Sequence, residues 1–369
     1  MTVVCLDDIE RIAAQNLPKG AYDYYRSGAD DQRSLRRNRR AFSKWLIRPQ
    51  MLRDVSRRDM TVSLLGGITK LDFPIGITST SSQKLAHPDG EIATVKAAES
   101  LNSLMIASTI ATTSLEDIAH AAAAANRWFQ LYVYKDRELT KRLVRRAETA
   151  GYQALAVTVD TPILGKRRDD MRNQFSLPPH LRMANFEQSD SKSRAVSSKQ
   201  GTSWLFEYAQ KMFDPSLTWK DIKWLTELTR LPVIVKGILT AQDAMQAYQH
   251  GAKAVIVSNH GARQLDSVAA PIEALPEIAQ VLAGRCEVFL EGGVRTGNDV
   301  FKAIALGAKA VFVGRPALWA LAYKGEEGVK EMLSILRDEF DLTMALAGCR
   351  NLREINRDMI AHRAQFAKL

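Results

Sequence analysis

Residues 288 to 315 read VFLEGGVRTGNDVFKAIALGAKAVFVGR, and this stretch contains one complete unit of the fold. The apolar run Val288 to Leu290 predicts a buried strand, and Asn298 to Leu306, closed by Gly307, has the spacing of an amphipathic helix. A second apolar run follows at Ala310 to Val313. A strand, a helix and another strand in this order predict two parallel strands joined by a helical crossover.

The same rhythm extends back towards the amino terminus, with predicted helices such as Asp136 to Ala150 and Thr240 to His250, each followed by glycine. Eight parallel strands with helices between them are the pattern of a TIM (β/α)8 barrel, an α/β fold. We therefore predict a single domain over residues 1–369, with the barrel at about 70–320 and additional N- and C-terminal helices. The eight predicted strands are Pro74 to Ile77, Leu104 to Ala107, Trp128 to Val133, Ala154 to Val159, Pro232 to Val235, Ala254 to Val257, Val288 to Leu290 and Ala310 to Val313.

A long insertion after strand 4 breaks this rhythm, because the connection to strand 5 greatly exceeds the usual loop of a few residues. Its middle, Gln188 to Ser203, reads QSDSKSRAVSSKQGTS and is polar and rich in serine. A lid over the mouth of the barrel and a disordered surface insertion are both compatible with this composition.

The charge balance is basic, with 51 Lys and Arg against 41 Asp and Glu and a net charge of +10. Such a charge favours anionic partners such as carboxylates, phosphates, nucleic acid or an anionic membrane. The basic stretch Arg36 to Arg40 has no interleaved aromatic residues, so we interpret it as a solvated helix face and expect no nucleic-acid partner. The sequence has three cysteines, an odd number, and their spacing is not that of a metal site. We interpret Cys5, Cys286 and Cys349 as reduced, buried thiols.

No apolar run reaches the roughly 18 residues of a membrane span, and the first ten residues include acids where a secretory signal has basic residues. We therefore expect a soluble, intracellular protein with no membrane partner. Ala367-Lys368-Leu369 is a conservative variant of the Ser-Lys-Leu peroxisomal address, although a chance ending would look the same.

The functional residues are expected at the carboxyl ends of the predicted strands, where TIM barrels place their active sites. Every one of these ends is polar, and a lysine, a histidine and an aspartate directly after apolar strands are more than a barrel needs for solubility. This pattern indicates a catalytic mouth. The residues at the ends are Thr78, Ser79 and Thr80; Ser108; Gln130 and Tyr132; Thr158 and Asp160; Lys236; Ser258 and His260; Glu291; and Gly314 and Arg315.

The loops after strands 7 and 8 each place glycine beside arginine, in Glu291 to Arg295 and in Gly314-Arg315. Glycines let backbone N–H groups approach phosphate oxygens, and each arginine can donate two charged hydrogen bonds. We therefore predict a phosphate site between these loops, as in many TIM barrels. The sequence has no Walker loop and no GxGxxG motif between a strand and a helix, so a nicotinamide-binding domain is not supported.

The segment Ser258 to Asp266, SNHGARQLD, places His260 and Arg263 three residues apart. Histidine titrates near neutrality and suits proton abstraction, and arginine matches a carboxylate with its forked donors. Together they predict a site for an acid that bears an abstractable proton. Asp160 could orient the imidazole, as the aspartate of a catalytic triad does.

These residues stand in motifs that resemble the FMN-dependent 2-hydroxy acid oxidases, and the resemblance runs from Leu6 to about Ile360. It implies an FMN-dependent oxidoreductase that acts on (S)-2-hydroxy acids and is a homo-oligomer, a tetramer in this family. The matching motifs are Tyr22 to Tyr25, Phe129 to Tyr132, Thr158 to Pro162, Val235 to Gly237, Ser258 to Asp266, Gly292 to Arg295 and Gly314 to Pro316.

Carried over residue by residue, the resemblance implies three groups of site residues. The FMN contacts fall on Ser79, Thr80, Ser81, Ser108, Gln130, Thr158, Lys236, Ser258, Glu291, Gly292, Gly293, Val294, Arg295, Gly314 and Arg315. The substrate contacts fall on Tyr24, Tyr132, Arg167, His260 and Arg263, and the catalytic residues are His260, Asp160, Tyr132 and Lys236. No metal is implied.

The implied reaction converts glycolate, or a longer 2-hydroxy acid, into a 2-oxo acid while oxygen is reduced to hydrogen peroxide. His260 would remove either the α-hydrogen as a proton or the hydroxyl proton as a hydride leaves for the flavin, and the sequence does not separate these routes. Lys236 would stabilise negative charge on the reduced flavin. A relative that passes electrons to another acceptor, and a catalytically silent flavin- or phosphate-binding barrel, are the alternatives.

Three positions depart from the family pattern. Glu291 stands where the family usually has an aspartate that holds the ribityl chain of FMN; it keeps the charge but is one methylene longer, which can shift the FMN contacts. Thr78 to Ser82 is more polar than the usual run of the Ala-Pro-Thr-Ala-Met type. Ile110 stands where many glycolate oxidases have tryptophan, which leaves the preferred chain length of the substrate open.

Overall fold

Eight parallel strands close into one barrel in the computed structural model, which describes residues 2–186 and 203–366. The strands follow one another around the barrel in chain order, and the last pairs with the first from Val311↔Ile75 to Val313↔Ile77. All eight predicted strands are confirmed, as β4 to β11 of this series: β1 (Trp45–Ile47), β2 (Val62–Leu64), β3 (Thr69–Leu71), β4 (Ile75–Ile77), β5 (Leu104–Ser108), β6 (Asn126–Leu131), β7 (Leu155–Thr158), β8 (Val233–Ile238), β9 (Ala254–Val257), β10 (Glu287–Glu291), β11 (Ala310–Val313) and β12 (Ile360–His362).

The barrel interior is filled by side chains and is closed at the amino-terminal end of the strands. Trp128, Phe289 and Phe312 pack against one another with ring centroids 5.5–5.6 Å apart. The antiparallel hairpin of β2 and β3 contributes Leu64 and Leu71 to the same buried cluster. With this end plugged by apolar side chains, a ligand can enter the barrel from the opposite, carboxyl end of the strands.

Helices surround the barrel, and polar side chains cap several of them. Ser114 Oγ accepts a hydrogen bond from the backbone N–H of Asp117 at 3.1 Å, and Asp136 caps the next helix in the same way through Glu138 and Leu139. The helices are α1 (Leu6–Asn16), α2 (Lys19–Arg26), α3 (Arg33–Arg40), α4 (Gly90–Ser100), α5 (Leu115–Ala121), α6 (Arg137–Thr149), α7 (Arg168–Arg172), α8 (Trp204–Met212), α9 (Trp219–Leu228), α10 (Ala241–Gln249), α11 (Pro271–Leu282), α12 (Gly297–Ala305) and α13 (Arg315–Ala347).

The expected additional helices are present at both ends of the barrel sequence. α1 to α3 precede the barrel strands, and α13 follows the last one and packs along α1, α4 and α12. Strands β1 and β12, outside the barrel, pair antiparallel with each other. The segment Gln188 to Ser203, for which a lid and a disordered surface insertion were both left open, lies outside the described residues apart from Ser203, as do Ala367 to Leu369.

The remaining expectations about composition have separate outcomes. Cys286 and Cys349 are buried free thiols as predicted, but the prediction of burial is wrong for Cys5, which is partly exposed beside α1. Among the described residues no helix is long and apolar enough to cross a membrane. In the same part of the chain no group of three or more His, Cys, Asp or Glu could hold a metal ion.

Candidate active site

The carboxyl ends of the barrel strands surround one cavity of about 390 Å³. Most of the predicted site residues line this cavity; Thr158, Asp160 and Ser258 lie directly behind the lining and are bonded to residues that do. The predicted residues that line it are Tyr24, Ser79, Thr80, Ser81, Ser108, Gln130, Tyr132, Arg167, Lys236, His260, Arg263, Glu291 to Arg295, Gly314 and Arg315.

His260 stands on a tight turn directly after β9 and is paired with Asp160. His260, Gly261 and Ala262 all have positive φ, at 57°, 61° and 62°, which turns the chain sharply at the strand end. The Nδ1 atom of His260 lies 2.8 Å from Asp160 Oδ1, and Thr161 donates its hydroxyl hydrogen to the same oxygen at 2.9 Å. Because Nδ1 is occupied, the other ring nitrogen, Nε2, is the one that can accept a proton.

An amide pair that the sequence analysis missed supports this turn. Asn38 of α3 and Asn259 exchange two buried side-chain hydrogen bonds of 2.7 and 2.8 Å. Asn259 Oδ1 also accepts from the backbone N–H of Ala262 at 3.0 Å. Asn38 therefore braces the histidine turn, although it lies in a stretch interpreted as a solvated basic face.

Burial and neighbouring charges together determine the pKa of the His260 imidazole. Burial lowers the pKa of His260 below its ordinary value, and Lys236 and Arg167 act in the same direction, while Asp160 raises it. Burial alone would raise the pKa of Asp160, but His260 and Lys236 bring it below its usual value. The pair therefore consists of a carboxylate and an imidazole that stays neutral to a more acidic pH than a free histidine.

Lys236 reaches the cavity from inside β8. Its ammonium lies 2.7 Å from the carboxylate of Glu291, and both side chains are almost completely buried. The following residue, Gly237, has a φ of +109°, and a Cβ there would lie 2.6 Å from Asp160 Cβ. Only glycine lets the aspartate approach the strand this closely, which explains a lysine followed by glycine at this strand end.

Arg263 and Arg315 are held by backbone carbonyls rather than by carboxylates. Arg315 donates to the carbonyls of Tyr25, Ser27 and Gly261 at 2.8–2.9 Å, and Arg263 donates to those of Tyr24 and Ser27 at 2.7 and 3.0 Å. Burial, followed by the nearby Arg263 and Arg295, lowers the pKa of Arg315 well below its usual range. No salt bridge to either arginine occurs within the described residues, so both remain available to an anion.

One end of the cavity has the features of a phosphate cradle. Gly292 and Gly293 have φ of +110° and +87°, and a Cβ on Gly293 would lie 2.1 Å from the backbone oxygen of Asn38. Arg295 is partly buried, and its buried Nε atom has no hydrogen-bond partner among the described residues. Gly314 leads directly into the first turn of α13, where a helix amino terminus favours an anion.

Another part of the lining combines hydroxyl groups, cations and an apolar wall. Tyr24 stacks on Phe175 with centroids 4.1 Å apart, and its hydroxyl lies 2.5 Å from Ser81 Oγ. Tyr132 stacks on Phe213, and burial raises its pKa, so its hydroxyl stays protonated and can donate. Burial, followed by the nearby Arg263, lowers the pKa of Arg167 to about 10, at which the guanidinium is still charged at neutral pH.

The sequence analysis anticipated only part of this apolar wall. Ile110 was singled out from the sequence, and it lines the cavity together with Leu164, Leu205 and Phe213. The latter three lie in the long connection between β7 and β8, where no periodic pattern marked them as facing the cavity. Side chains from this connection therefore help to shape the site.

Comparison with known proteins agrees with this arrangement. Residues 13–362 match the family model described as FMN-dependent dehydrogenase. The chain is 52% identical over 358 residues to 2-hydroxyacid oxidase 1 of Homo sapiens, covering 97% of this chain and 96% of that protein. It is 53% identical over 361 residues to glycolate oxidase of Spinacia oleracea, with 98% and 96% covered.

Solved structures of related oxidases have the same fold as this chain. A crystal structure of mandelate oxidase with (S)-4-hydroxymandelic acid superposes with a TM-score of 0.91 at 40% identity, covering 95% of this chain and 97% of the other. The chain therefore belongs to the FMN-dependent dehydrogenase family, and FMN is its cofactor. The phosphate cradle fits this cofactor, because it offers one monophosphate two partly buried arginines that have no carboxylate partner among the described residues.

The pairing of His260 with Asp160 leads to a prediction about titration. In the purified protein, the pKa of His260 should lie below that of an ordinary histidine, and Asp160→Asn should lower it further by removing the charge that raises it. NMR titration of the histidine rings measures both values, with His260→Gln to assign the signal. Asp338→Asn, on the exposed face of α13, is the control and should change nothing; an unchanged or higher pKa in Asp160→Asn would contradict the pairing.

Proposed function

We propose that the protein is an FMN-dependent oxidase of (S)-2-hydroxy acids that forms 2-oxo acids and passes the electrons to oxygen, which becomes hydrogen peroxide. The observation that carries the proposal is the meeting of three groups in one cavity. The His260–Asp160 pair, the arginines Arg167 and Arg263, and the phosphate cradle all border it. The 2-hydroxyacid oxidase, glycolate oxidase and mandelate oxidase relatives support this choice of chemistry.

The cofactor would be held by residues at both loops of the cradle and along the strand ends. Gly292, Gly293, Arg295, Gly314 and Arg315 would bind the phosphate, and the remaining polar strand ends would contact the rest of the molecule. When bound, FMN supplies the two-electron acceptor that the protein's own side chains lack. The residues proposed for these contacts are Ser79, Thr80, Ser81, Ser108, Gln130, Thr158, Lys236 and Ser258.

The tyrosines, the two arginines and the histidine of the other part of the lining would bind and orient the substrate. Arg263 and Arg167 would receive its carboxylate, because forked guanidinium groups match the two carboxylate oxygens. The hydroxyls of Tyr24 and Tyr132 would position the substrate's polar groups. His260 would accept the proton at Nε2, and Asp160 would stabilise the imidazolium that forms.

The experiment that tests this function starts from the purified protein. It should be yellow, release FMN on acid extraction, and form hydrogen peroxide when glycolate or (S)-lactate is added in air. His260→Ala should keep FMN but lose about 10² to 10⁴-fold in kcat, as expected for a lost general base. His120→Ala, at an exposed position of α5, is the matched control and should keep full activity.

Three results would overturn parts of this proposal. Absence of FMN even after reconstitution would contradict the cofactor assignment. Substrate-dependent reduction of the flavin without peroxide would identify a dehydrogenase with another electron acceptor. Near-normal kcat in His260→Ala would remove this residue from the chemistry.

The apolar wall predicts activity on substrates longer than glycolate. Ile110 is smaller than the tryptophan found in many relatives, and each additional methylene buried against Ile110, Leu164 and Leu205 should contribute about 0.8 kcal/mol, or roughly 4-fold in kcat/KM. A series from glycolate through lactate to 2-hydroxyoctanoate measures this. Ile110→Trp should abolish the gain, and a monotonic fall in the unmodified protein would refute the prediction.

We also propose a peroxisomal address in Ala367-Lys368-Leu369 and a homotetrameric assembly, as the family resemblance implies. A compartment that contains catalase would limit damage by the peroxide. A fluorescent fusion on the amino terminus should appear in puncta and become diffuse when Leu369 is deleted. A diffuse signal with the tail intact would contradict the address and leave the chemistry untouched.

A further inference from the structure

Four buried polar side chains meet at the floor of the cavity, where four barrel strands end. They are Thr78, Lys236, Ser258 and Glu291, and each is at most 6% exposed. They come from the ends of β4, β8, β9 and β10. Polar groups so far from water must bond to one another, so this cluster is a defined piece of the site.

Glu291 is the centre of this cluster, and protein groups bond to both oxygens of its carboxylate. Its Oε1 lies 2.7 Å from the ammonium of Lys236 and accepts the hydroxyl hydrogen of Ser258 at 2.6 Å. Its Oε2 accepts the hydroxyl hydrogen of Thr78. Both oxygens are thus bonded to protein groups, which fixes the orientation of the carboxylate.

The cluster also reaches the histidine turn. Ser258 Oγ, while donating to Glu291, accepts the backbone N–H of His260 at 2.9 Å. Burial alone would lower the pKa of Lys236, but Glu291 and Asp160 raise it above the usual value, so the lysine is charged. The position of the ammonium, and the extent to which its charge is offset, therefore depend on Glu291.

We propose that Glu291 acts on FMN through Lys236, as the fixed counterion of that ammonium, and that Thr78 is the positioning residue that holds Glu291 in place. The pair Thr78 and Glu291 thereby sets the reduction potential of the bound cofactor. This role differs from direct contact with the ribityl chain, which the family resemblance implies for position 291. It depends on FMN binding, given by family membership, and not on the proposed substrate.

The test compares Glu291→Gln in two backgrounds, the unmodified protein and Lys236→Met. Equilibration of the holoprotein with reference dyes measures the reduction potential, and ultrafiltration measures the Kd for FMN. In the unmodified background, Glu291→Gln should raise the preference for reduced over oxidised FMN about tenfold, or about 30 mV for a two-electron couple, because Lys236 loses its counterion. In the Lys236→Met background the shift should disappear.

A second comparison keeps the proposal falsifiable if Lys236→Met does not fold or bind FMN. Thr78→Val removes the hydroxyl with little change of shape, and it should shift the potential in the unmodified protein but add nothing in Glu291→Gln. The matched controls lie at the other end of the barrel. Glu287→Gln breaks the ion pair with Lys309 at the start of the same strand, and Thr69→Val removes a buried hydroxyl that bonds to Gln153.

The outcomes separate the proposal from its alternatives. A shift in potential that depends on Lys236 and is shared with Thr78→Val supports it, provided the two controls leave the potential unchanged. Equal effects of Glu291→Gln in both backgrounds, or a weaker Kd with no change of potential, would overturn it in favour of direct ribityl contact. Lower stability with unchanged potential would overturn it in favour of a purely structural cluster.

Discussion

Closure of the barrel is the constraint on which the site depends. Because β11 pairs with β4, the carboxyl ends of all eight strands must meet in one ring. Residues as distant in sequence as Thr78 and Glu291, or Asp160 and His260, are thereby brought into hydrogen-bonding contact. Apolar side chains fill the amino-terminal end of the barrel, so only the carboxyl end is open to a ligand. The geometry of the backbone therefore determines where chemistry can take place.

The site that results gathers several positive charges: Lys236 and Arg167 are buried, and Arg263, Arg295 and Arg315 are partly buried. Lys236 has a carboxylate partner, but Arg263 and Arg315 have backbone carbonyls instead. Carbonyl dipoles hold a guanidinium in place without cancelling its charge, so these arginines keep their attraction for an anion. The cations of the cavity therefore fall into two groups. Lys236, whose charge is paired with Glu291, lies at the floor, and Arg263 and Arg315, which have no carboxylate partner among the described residues, lie where carboxylate and phosphate groups are expected.

The sequence was enough to predict the barrel and the positions of the residues around its mouth. Period and strand-end position are local signals, and they located the eight strands and the pairing partners Asp160 and His260. Pairing between distant side chains leaves no such signal. Asn38 was missed because seven of the eight residues of α3 are polar, and such a sequence does not show which polar residue faces inward.

The roles of shorter and more irregular pieces could not be read from local patterns either. Strands β1 and β12 have three residues each, too few to show a period. Leu205 and Phe213 face the cavity from a connection without a continuous apolar rhythm, so their contribution depends on tertiary packing alone. Thr78 was noted as a polar strand end, but its bond to Glu291 depends on the closure of the barrel.

The unpaired arginines also connect folding to the supply of cofactor. Arg295 and Arg315 are partly buried and have no carboxylate partner in the described part of the chain, so the protein without an anion bears the cost of partly withdrawing them from water. A ligand that binds only the folded state adds RT ln(1 + [L]/Kd) to stability, or about 2.7 kcal/mol at 100 times its Kd. Abundance in the cell would then follow flavin status, because chains that lack FMN unfold more often and are degraded sooner.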